Sequence, residues 1–529
     1  MRTSTRNNAI LDHTLTTTYK TDINNDFNLD VLAGVNSREL SYSQMGVTSK
    51  EQLVFCLLDH TNFITHDIVN EAGADMDYKT KNLSIGAFGS ATLGYKQYAY
   101  LVVGGRNSWT STLEAANRSV FYPNVSASFI PTEALEFLRN KKNINYLKVR
   151  VGYSTAANFP GPYSTRSALS ISTRNFVTST GTVINTNTIP NFLPNPNLKP
   201  ELMAEAETGI EGKFFQSRLS TDITLYQRVS NDQILNRDLD PSTGYTSQQI
   251  NAGKVTNKGI EAQLAYKIIR NKDWVWEVTG NWTINQSMVS DIPSDLKEIV
   301  YAGYTTLGNF AINGQPLGIM KGYYFQRHSN GQLLVGAGGD YLASTTIGII
   351  GDPNPKYKLS GINSVTYKSL TFRFQVDYTC GGDMYSSTAR SLLARGVTKD
   401  TEFDRAAPFI LPGVTADGQP NNIQISATQG YFNNVFGPDQ AGIFDATVVR
   451  LRDMSLSYAL PEKLLSKTPF GSLSITANGS NLWYYAPNFP KYMHFDPETN
   501  GLGVGNGKGL EFITGPSARR MGVSVRVTF

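Results

Sequence analysis

The chain ends in Arg520-Met521-Gly522-Val523-Ser524-Val525-Arg526-Val527-Thr528-Phe529, in which apolar and polar side chains alternate without a slip. Successive side chains of a β-strand point to opposite faces, so this strand has one apolar face and one polar, cationic face. A soluble sandwich turns its apolar face inward, whereas a membrane barrel turns it toward lipid. The terminal aromatic residue favours the barrel, because bacterial outer-membrane proteins commonly finish this way. We therefore interpret Val523, Val525, Val527 and Phe529 as an outer-membrane C-terminal signature.

The composition favours a β-rich protein with two-faced strands. Charged residues make up 17% of the 529 residues, against about 25% in an average soluble domain. The net charge of +4 is too small to argue for nucleic-acid binding. No apolar run reaches the about 18 residues of a membrane helix, which leaves a membrane barrel open because its strands give weak hydropathy signals. Cys56 and Cys380 lie far apart, and we expect two unpaired thiols.

Period-two alternation recurs along most of the chain and predicts long strands. Most of these strands have about ten residues or more, which is the length that a tilted strand needs to cross a bilayer. The predicted strands are 9–20, 26–42, 79–93, 96–109, 119–130, 144–156, 202–214, 217–232, 253–268, 273–290, 355–367, 369–381, 443–459, 471–483 and 516–529.

The connections between these strands alternate between short and long, with two intermediate ones, 131–143 and 460–470, in short positions and a brief one, 110–118, in a long position. Outer-membrane barrels have short periplasmic turns and long extracellular loops, whereas a Greek-key sandwich has no reason to keep this parity. The sequence therefore predicts an all-β fold, an antiparallel up-and-down transmembrane β-barrel. The long loops are predicted near 43–78, 157–201, 233–252, 291–354, 382–442 and 484–515.

The number of predicted strands is odd, about fifteen, although single-chain bacterial barrels have even numbers. The start, Met1-Arg2-Thr3-Ser4-Thr5-Arg6, lacks the apolar region of a signal peptide. We therefore expect residues 1–529 to be the C-terminal part of a larger barrel protein.

Several segments resemble one family when they are taken together and in order. The first, Asn195-Pro196-Asn197-Leu198-Lys199-Pro200-Glu201, precedes a strand, where its two prolines do not interrupt a hydrogen-bonded ladder. The others are Asn257-Lys258-Gly259-Ile260-Glu261, Gly314-Gln315-Pro316-Leu317-Gly318, Gly351-Asp352-Pro353-Asn354-Pro355, Gly381-Gly382-Asp383-Met384-Tyr385, Val449-Arg450-Leu451-Arg452-Asp453 and Phe495-Asp496-Pro497-Glu498.

This series, over residues 119–529, is similar to the SusC/RagA-type TonB-linked outer-membrane transporters. That family has a barrel of about twenty-two strands around a plug, so the resemblance implies that the last fifteen strands are present. It also implies that seven strands, the plug domain, the TonB box and the signal peptide have no counterpart here. The implied location is the outer membrane of a Gram-negative, Bacteroidetes-like cell.

The resemblance implies nutrient import, of an oligosaccharide or other glycan or of a peptide, and no enzymatic activity or cofactor. The implied partners are outer-membrane lipid and a SusD-like substrate-binding lipoprotein, with the TonB complex acting only through the missing N-terminal part. Two alternatives stay open: a truncated barrel that does not transport, and a β-rich binding or adhesion protein. A passive porin is disfavoured, because a porin needs an even-stranded barrel.

The sequence offers no catalytic or metal site. Gly501 to Gly509 invites a phosphate-loop interpretation, but Leu502 and Gly509 occupy positions that need Gly and Ser or Thr. The five histidines show no zinc spacing. We interpret Gly501 to Gly509 as an extracellular loop.

The remaining site predictions concern strands and their ends. Trp483, Tyr484 and Tyr485 end an upward strand and are weak candidates for an aromatic girdle or for substrate binding. Trp274 and Trp276 suit a girdle at the opposite end, and 131–140 suits a short helix. A change of apolar phase predicts a β-bulge near Arg452 and Asp453. The predicted lumen-lining residues, which in the family would contact the plug more often than a solute, are Arg373, Arg450, Arg520 and Arg526.

Overall fold

A computed structural model describes residues 1–68, 76–138, 142–167, 169–177, 180–503, 505 and 507–529. It contains long strands and few helices. The helices are α1 (Pro131–Ala134), α2 (Ser387–Ala394), α3 (Gln429–Val435) and α4 (Glu462–Leu465), and the short 3-10 helices are His60–Asn62, Pro241–Thr243, Ser294–Leu296, Lys399–Thr401 and Asp439–Gly442. The strands, in chain order, are β1 (Arg2–Asp22), β2 (Phe27–Gln52), β3 (Phe63–Asp67), β4 (Tyr78–Tyr95), β5 (Ala99–Thr110), β6 (Ser119–Phe129), β7 (Ile144–Asn158), β8 (Ser170–Val177), β9 (Val183–Thr188), β10 (Phe192–Leu193), β11 (Glu201–Phe214), β12 (Leu219–Asn231), β13 (Ile234–Asp238), β14 (Ser247–Asn251), β15 (Lys254–Arg270), β16 (Trp274–Ser290), β17 (Glu298–Gly303), β18 (Gly308–Ile312), β19 (Ile319–Phe325), β20 (Ala343–Gly351), β21 (Tyr357–Tyr367), β22 (Leu370–Cys380), β23 (Asp383–Ser386), β24 (Ile443–Asp445), β25 (Val448–Ala459), β26 (Ser472–Tyr485), β27 (Leu510–Glu511) and β28 (Arg520–Thr528).

The largest sheet follows the predicted strands. Its order is β1-β2-β4-β5-β6-β7-β11-β12-β15-β16-β21-β22-β25-β26-β28, with β3 added beside β2. Each of the fifteen predicted strands has a counterpart on this path, and the path follows the order of the sequence. The up-and-down order is therefore confirmed. Most connections alternate between short and long, but the connection 111–118, in a long position, is shorter than 130–143, in a short position.

The chain contains two compact units. The first comprises Met1–Ser128, Gly152–Glu205 and Ser230–Ala252, and its longest element is the hairpin of β1 and β2. That hairpin is paired from Arg2 opposite Thr48 to Asp22 opposite Asn28. Both strands exceed their predictions, because backbone hydrogen bonding continues through a polar stretch in which the apolar alternation has faded.

The second unit comprises Phe129–Val151, Ala206–Val229 and Gly253–Phe529. It includes the run of strands from β15 to β28 and three long connections, 291–356, 381–447 and 486–519. These connections carry strands of their own, among them the four-stranded sheet β17-β18-β19-β20 and the sheet β24-β23-β27. We refer to the three connections together as the loop cap.

The predicted bulge is confirmed. Gln375 lies opposite Asp453 and Val376 opposite Leu451, so Arg452 is the extra residue on β25. The pairing of β25 with β26 shifts at the same place. The bulge turns both Arg452 and Asp453 toward the polar face, which explains the change of apolar phase in the sequence.

The predictions for the helix at 131–140, for Trp274 and for the two cysteines have different outcomes. The helix predicted over 131–140 is only the four-residue α1, because Leu135 is already extended; residues 139 and 140 lie outside the described residues. Trp274 stacks on Tyr367 of the neighbouring strand, with ring centroids 4.4 Å apart, beside the short turn 271–273. Cys56 and Cys380 are unpaired, as expected.

The apolar face of the last strand is largely exposed. Val523 is 73% exposed, Val525 60% and Phe529 88%. The neighbouring strands continue this surface with Leu456 and Ile475, which are also exposed. A contiguous apolar surface of this kind suits hydrocarbon rather than water. In the part of the chain that the structure describes, no helix combines the length and the apolar character that a membrane crossing demands.

Candidate functional site in the loop cap and the polar strand face

The four predicted arginines share the polar face of the ladder. Residues directly opposite one another in an antiparallel pair point to the same side of the sheet. Apolar residues such as Phe372, Met454 and Val523 occupy the other side. Arg373, Arg450, Arg520 and Arg526 lie opposite Ser455, Asp377, Ser480 and Ser474, respectively.

Arg450 lies on this polar face, where a loop covers it. Its side chain is only 2% exposed and donates a hydrogen bond to Asp496, whose side chain is 5% exposed. Its Nε lies 3.3 Å from Glu498, and its guanidinium stacks 5.3 Å from the ring centroid of Tyr484. The connection 486–519 therefore folds over the polar face and covers Arg450.

A second arginine extends this network to the neighbouring strand. Arg452 donates to Asp377 at 2.6 Å and to Glu498 at 2.7 and 2.8 Å. Strand alternation places Arg450 and Arg452, two residues apart, on the same face, and the bulge adds Asp453 to that face. Strands β22 and β25 are thus tied to residues 496–498 by charge-assisted hydrogen bonds.

Burial raises the pKa of Asp496, but the hydrogen bonds from Arg450 and Ser517 outweigh it and hold this pKa below its ordinary value. The carboxylate is therefore charged across the physiological range. A buried arginine paired with a charged carboxylate is expensive to separate, because each partner alone would be an unpaired buried charge.

A buried carboxylate joins two of the loop-cap connections. Glu511 accepts hydrogen bonds from Ser386, from Thr388 through both its backbone N–H and hydroxyl, and from Thr514. Burial raises the pKa of Glu511, and these donors more than compensate, so the pKa is lowered. The connections 381–447 and 486–519 are therefore fastened to each other.

The third connection is fastened in the same way. The amide of buried Asn309 donates to the carbonyl of Lys508 at 3.0 Å and accepts from its backbone N–H at 3.0 Å. Asp383 accepts from the backbone N–H of Asp352 at 2.8 Å. An apolar cluster fills the space between these polar links and contains Leu307, Met320, Ile350, Tyr385 and Leu510.

The candidate aromatic residues are separated by strand alternation. Tyr484 lies opposite Arg450 on the polar face, and its hydroxyl donates to the carbonyl of His494. Trp483 and Tyr485 lie opposite Leu451 and Val449 on the apolar face and are 49% and 58% exposed. All three border one cavity of about 500 Å³, and they do not form a single stacking platform.

Sequence reasoning missed the acidic half of this network. Asp377, Asp496, Glu498 and Glu511 were not identified as site residues, although Asp496 and Glu498 stand in one of the quoted motifs. Arg450 and Asp496 are 46 positions apart, and no local periodicity connects them. Only the motif Phe495-Asp496-Pro497-Glu498 signalled that this loop segment has a defined role.

The profile of the family described as "TonB dependent receptor-like, beta-barrel" matches residues 2–482. The chain belongs to this family of outer-membrane β-barrels. TonB-dependent receptor P26 of Formosa agariphila is 25% identical over 472 residues, which cover 84% of this chain and 46% of that relative. TonB-dependent receptor P3 of the same organism is 23% identical over 505 residues, covering 88% of this chain and 48% of that protein.

Solved structures agree with this assignment at the level of the fold. The structure of the RagAB peptide transporter superposes with a TM-score of 0.76 at 19% identity, covering 100% of this chain and 56% of that one. A "closed-closed" state of the RagAB peptide importer gives a TM-score of 0.75 at 18% identity and the same coverage. The chain spans about half the length of the curated relatives it matches. The family consists of receptors and transporters rather than enzymes.

Proposed function

We propose that this chain is the barrel part of a SusC/RagA-like, TonB-dependent transporter that imports a nutrient, an oligosaccharide or a peptide, across the outer membrane. The observation that carries the proposal is the ordered loop cap above a cationic strand face. A passive structural barrel does not need long connections that are held to one another by hydrogen bonds to buried carboxylates. A transporter that captures a solute at its mouth does need a defined surface there.

The polar strand face supplies the second support. Arg373 and Arg526 keep exposed guanidinium groups on the side opposite the apolar surface. Serine side chains opposite them add hydroxyl groups, and such a surface can bind sugar hydroxyls, peptide carbonyls or a neighbouring plug. Because the relatives in the RagAB structures are described as peptide transporters, a peptide is the first substrate class to test.

The partners follow from the same arrangement. A SusD-like lipoprotein would bind the extracellular loop cap, whose exposed apolar side chains include Val397, Phe403 and Ile410. Energy from the TonB complex would reach this barrel through other parts of the whole protein. Of the predicted substrate contacts Trp483, Tyr484 and Tyr485, Tyr484 lies on the polar strand face and is the one we keep as a candidate.

The test is uptake by cells that carry or lack the whole protein. Deleting its gene should abolish growth on either peptide mixtures or oligosaccharides as the sole nutrient, and the intact gene should restore growth. A gene copy with Glu511→Ala should restore less, because the loop cap loses its central hydrogen-bond acceptor. If deletion leaves uptake of both classes unchanged and reduces only attachment of cells to surfaces, the chain serves binding or adhesion instead.

A further inference from the structure

A cavity of about 500 Å³ lies at the long-loop end of β26. Its volume falls within the range of small-molecule sites. Strand residues form one side, and the first part of the connection 486–519 forms another. Its lining consists of Trp483, Tyr484, Tyr485, Ala486, Pro487, Phe489, Pro490, Lys491, His494, Phe495 and Arg519.

The charges of this lining have one sign. Lys491 and Arg519 are cationic, His494 is a third basic group, and no carboxylate borders the cavity among the described residues. Within the same described ranges, neither Lys491 nor Arg519 makes an ion pair, whereas Arg450 and Arg452 beneath the loop each pair with a carboxylate. The cavity therefore offers uncompensated positive charge to an anion.

Two acidic groups lie nearby but do not border the cavity. Asp496 is paired with Arg450, and Asp400, which accepts from the backbone N–H of Tyr492 at 3.3 Å, brings one negative charge. Two lysines flank the ring of Tyr492, with Lys399 Nζ 5.2 Å and Lys491 Nζ 5.3 Å from its centroid. The surface around the cavity is therefore cationic and aromatic.

The aromatic rim is turned toward lipid. Trp483 and Tyr485 lie on the apolar face of β26, the face that β28 continues with Val523 and Val525. Exposed tryptophan and tyrosine side chains at the end of a membrane strand mark the level of the lipid head groups. A ligand in this cavity would thus lie at the boundary between hydrocarbon and water.

We propose that this cavity binds the phosphate-bearing head group of an outer-leaflet lipid. Lys491 and Arg519 would contact the phosphate oxygens, Arg519 with its planar, forked set of donors. Trp483 and Tyr485 would pack along the sugar or glycerol moiety and the first acyl carbons. Trp483 and Tyr485 of its rim lie on the face of the sheet opposite the proposed transport path, whereas Tyr484 belongs to the polar face.

The test measures lipid that remains bound to the whole detergent-purified protein, by native mass spectrometry. The probe is monophosphorylated lipid A added to dodecyl maltoside micelles, and the variants are Lys491→Gln and Arg519→Gln. We expect each variant to retain the lipid about tenfold less well, because a charge-assisted contact is lost. Arg520→Gln is the matched control: this neighbour lies on the polar face and should behave like the unchanged protein.

Further measurements distinguish a lipid phosphate from free phosphate and show whether a variant loses lipid only because it is misfolded. Lipid A without its phosphate should bind no better to the unchanged protein than to Arg519→Gln. Inorganic phosphate at 50 mM should displace little lipid; full displacement would show a site for free phosphate and overturn the lipid assignment. Equal retention by Arg519→Gln and Arg520→Gln would also overturn the proposal. Heat-modifiable gel mobility confirms that each variant is folded.

Discussion

Replacing Arg450 by leucine is expected to release the connection 486–519 from the strand face. The side chain of Arg450 is 2% exposed and that of its partner Asp496 is 5% exposed. Removing one member of such a buried pair costs about 3–5 kcal/mol. Since 1.4 kcal/mol corresponds to a factor of ten, the opening equilibrium of this connection should rise by roughly two to three and a half orders of magnitude.

Hydrogen exchange of the backbone amides in 486–519 reads this opening directly. In the Arg450→Leu variant these amides should exchange faster by the same factor. If the free energy that closes this connection is smaller than the loss of about 3–5 kcal/mol, they should lose protection altogether. The strand amides of β21 and β22 should change little. Arg373→Leu is the control, because Arg373 is exposed on the same face and its removal should cost less than about 0.5 kcal/mol.

The double variant Arg450→Leu/Asp496→Leu distinguishes the effect of leaving a buried charge unpaired from the effect of changing the size of the side chain. Removing both charges leaves no unpaired buried ion, so protection should return to within about tenfold of the unchanged protein. If Arg450→Leu keeps full protection, or if the double variant is as open as the single one, the ion pair does not hold the loop and the reasoning is refuted.

Acid should open the same connection. The folded-state pKa of Asp496 is depressed below its ordinary value of 3.8, so its stabilising contribution is present above that value. It is lost as the pH falls below 3.8 through the folded-state pKa. Exchange or limited proteolysis of 486–519 should therefore be flat from pH 7 to pH 5 and increase below about pH 4. An opening transition near pH 6 would contradict this assignment.

Three further substitutions test the remaining structure. Glu511→Ala should cost at least about 3 kcal/mol in loop-cap closure, because several buried donors lose their acceptor, and protease cleavage within 381–447 would report it. Val525→Lys should lower the stability of the barrel in lipid vesicles by about 2–4 kcal/mol, whereas Ser524→Lys on the polar face should be nearly neutral; equal effects in a urea titration would refute the assignment of faces. Gly382→Ala should cost about 1–2 kcal/mol, because its φ is +83° and an added Cβ would lie 3.1 Å from the carbonyl oxygen of Pro353; unchanged thermal melting would contradict this.

The ladder could be predicted well because a strand that faces lipid on one side and polar groups on the other records both environments in its own sequence. Leu370 to Cys380 shows this, since its predicted and observed bounds differ by one residue. The ends of β1 and β2 were underestimated, because outside the bilayer backbone pairing continues without any need for an apolar face. The bulge at Arg452 was also readable, because it shifts the apolar phase.

The loop cap could not be predicted, because its contacts join residues that are far apart in sequence. Asn309 and Lys508 are 199 positions apart and Ser386 and Glu511 are 125 apart. The aromatic candidates Trp483, Tyr484 and Tyr485 were readable as a group, and strand alternation places Tyr484 on the opposite face from the other two.

The sequence by itself determined the strands, their up-and-down order and the lipid-facing side, because a period of two is a local property of the chain. The tertiary structure decided that Asp496 buries Arg450 on the polar face and that three long connections form one cap. It also decided that Lys491 and Arg519, beside an aromatic rim, make no ion pair with the residues that the structure describes. These depend on which distant carboxylates reach each cation, and that is fixed only when the loops fold.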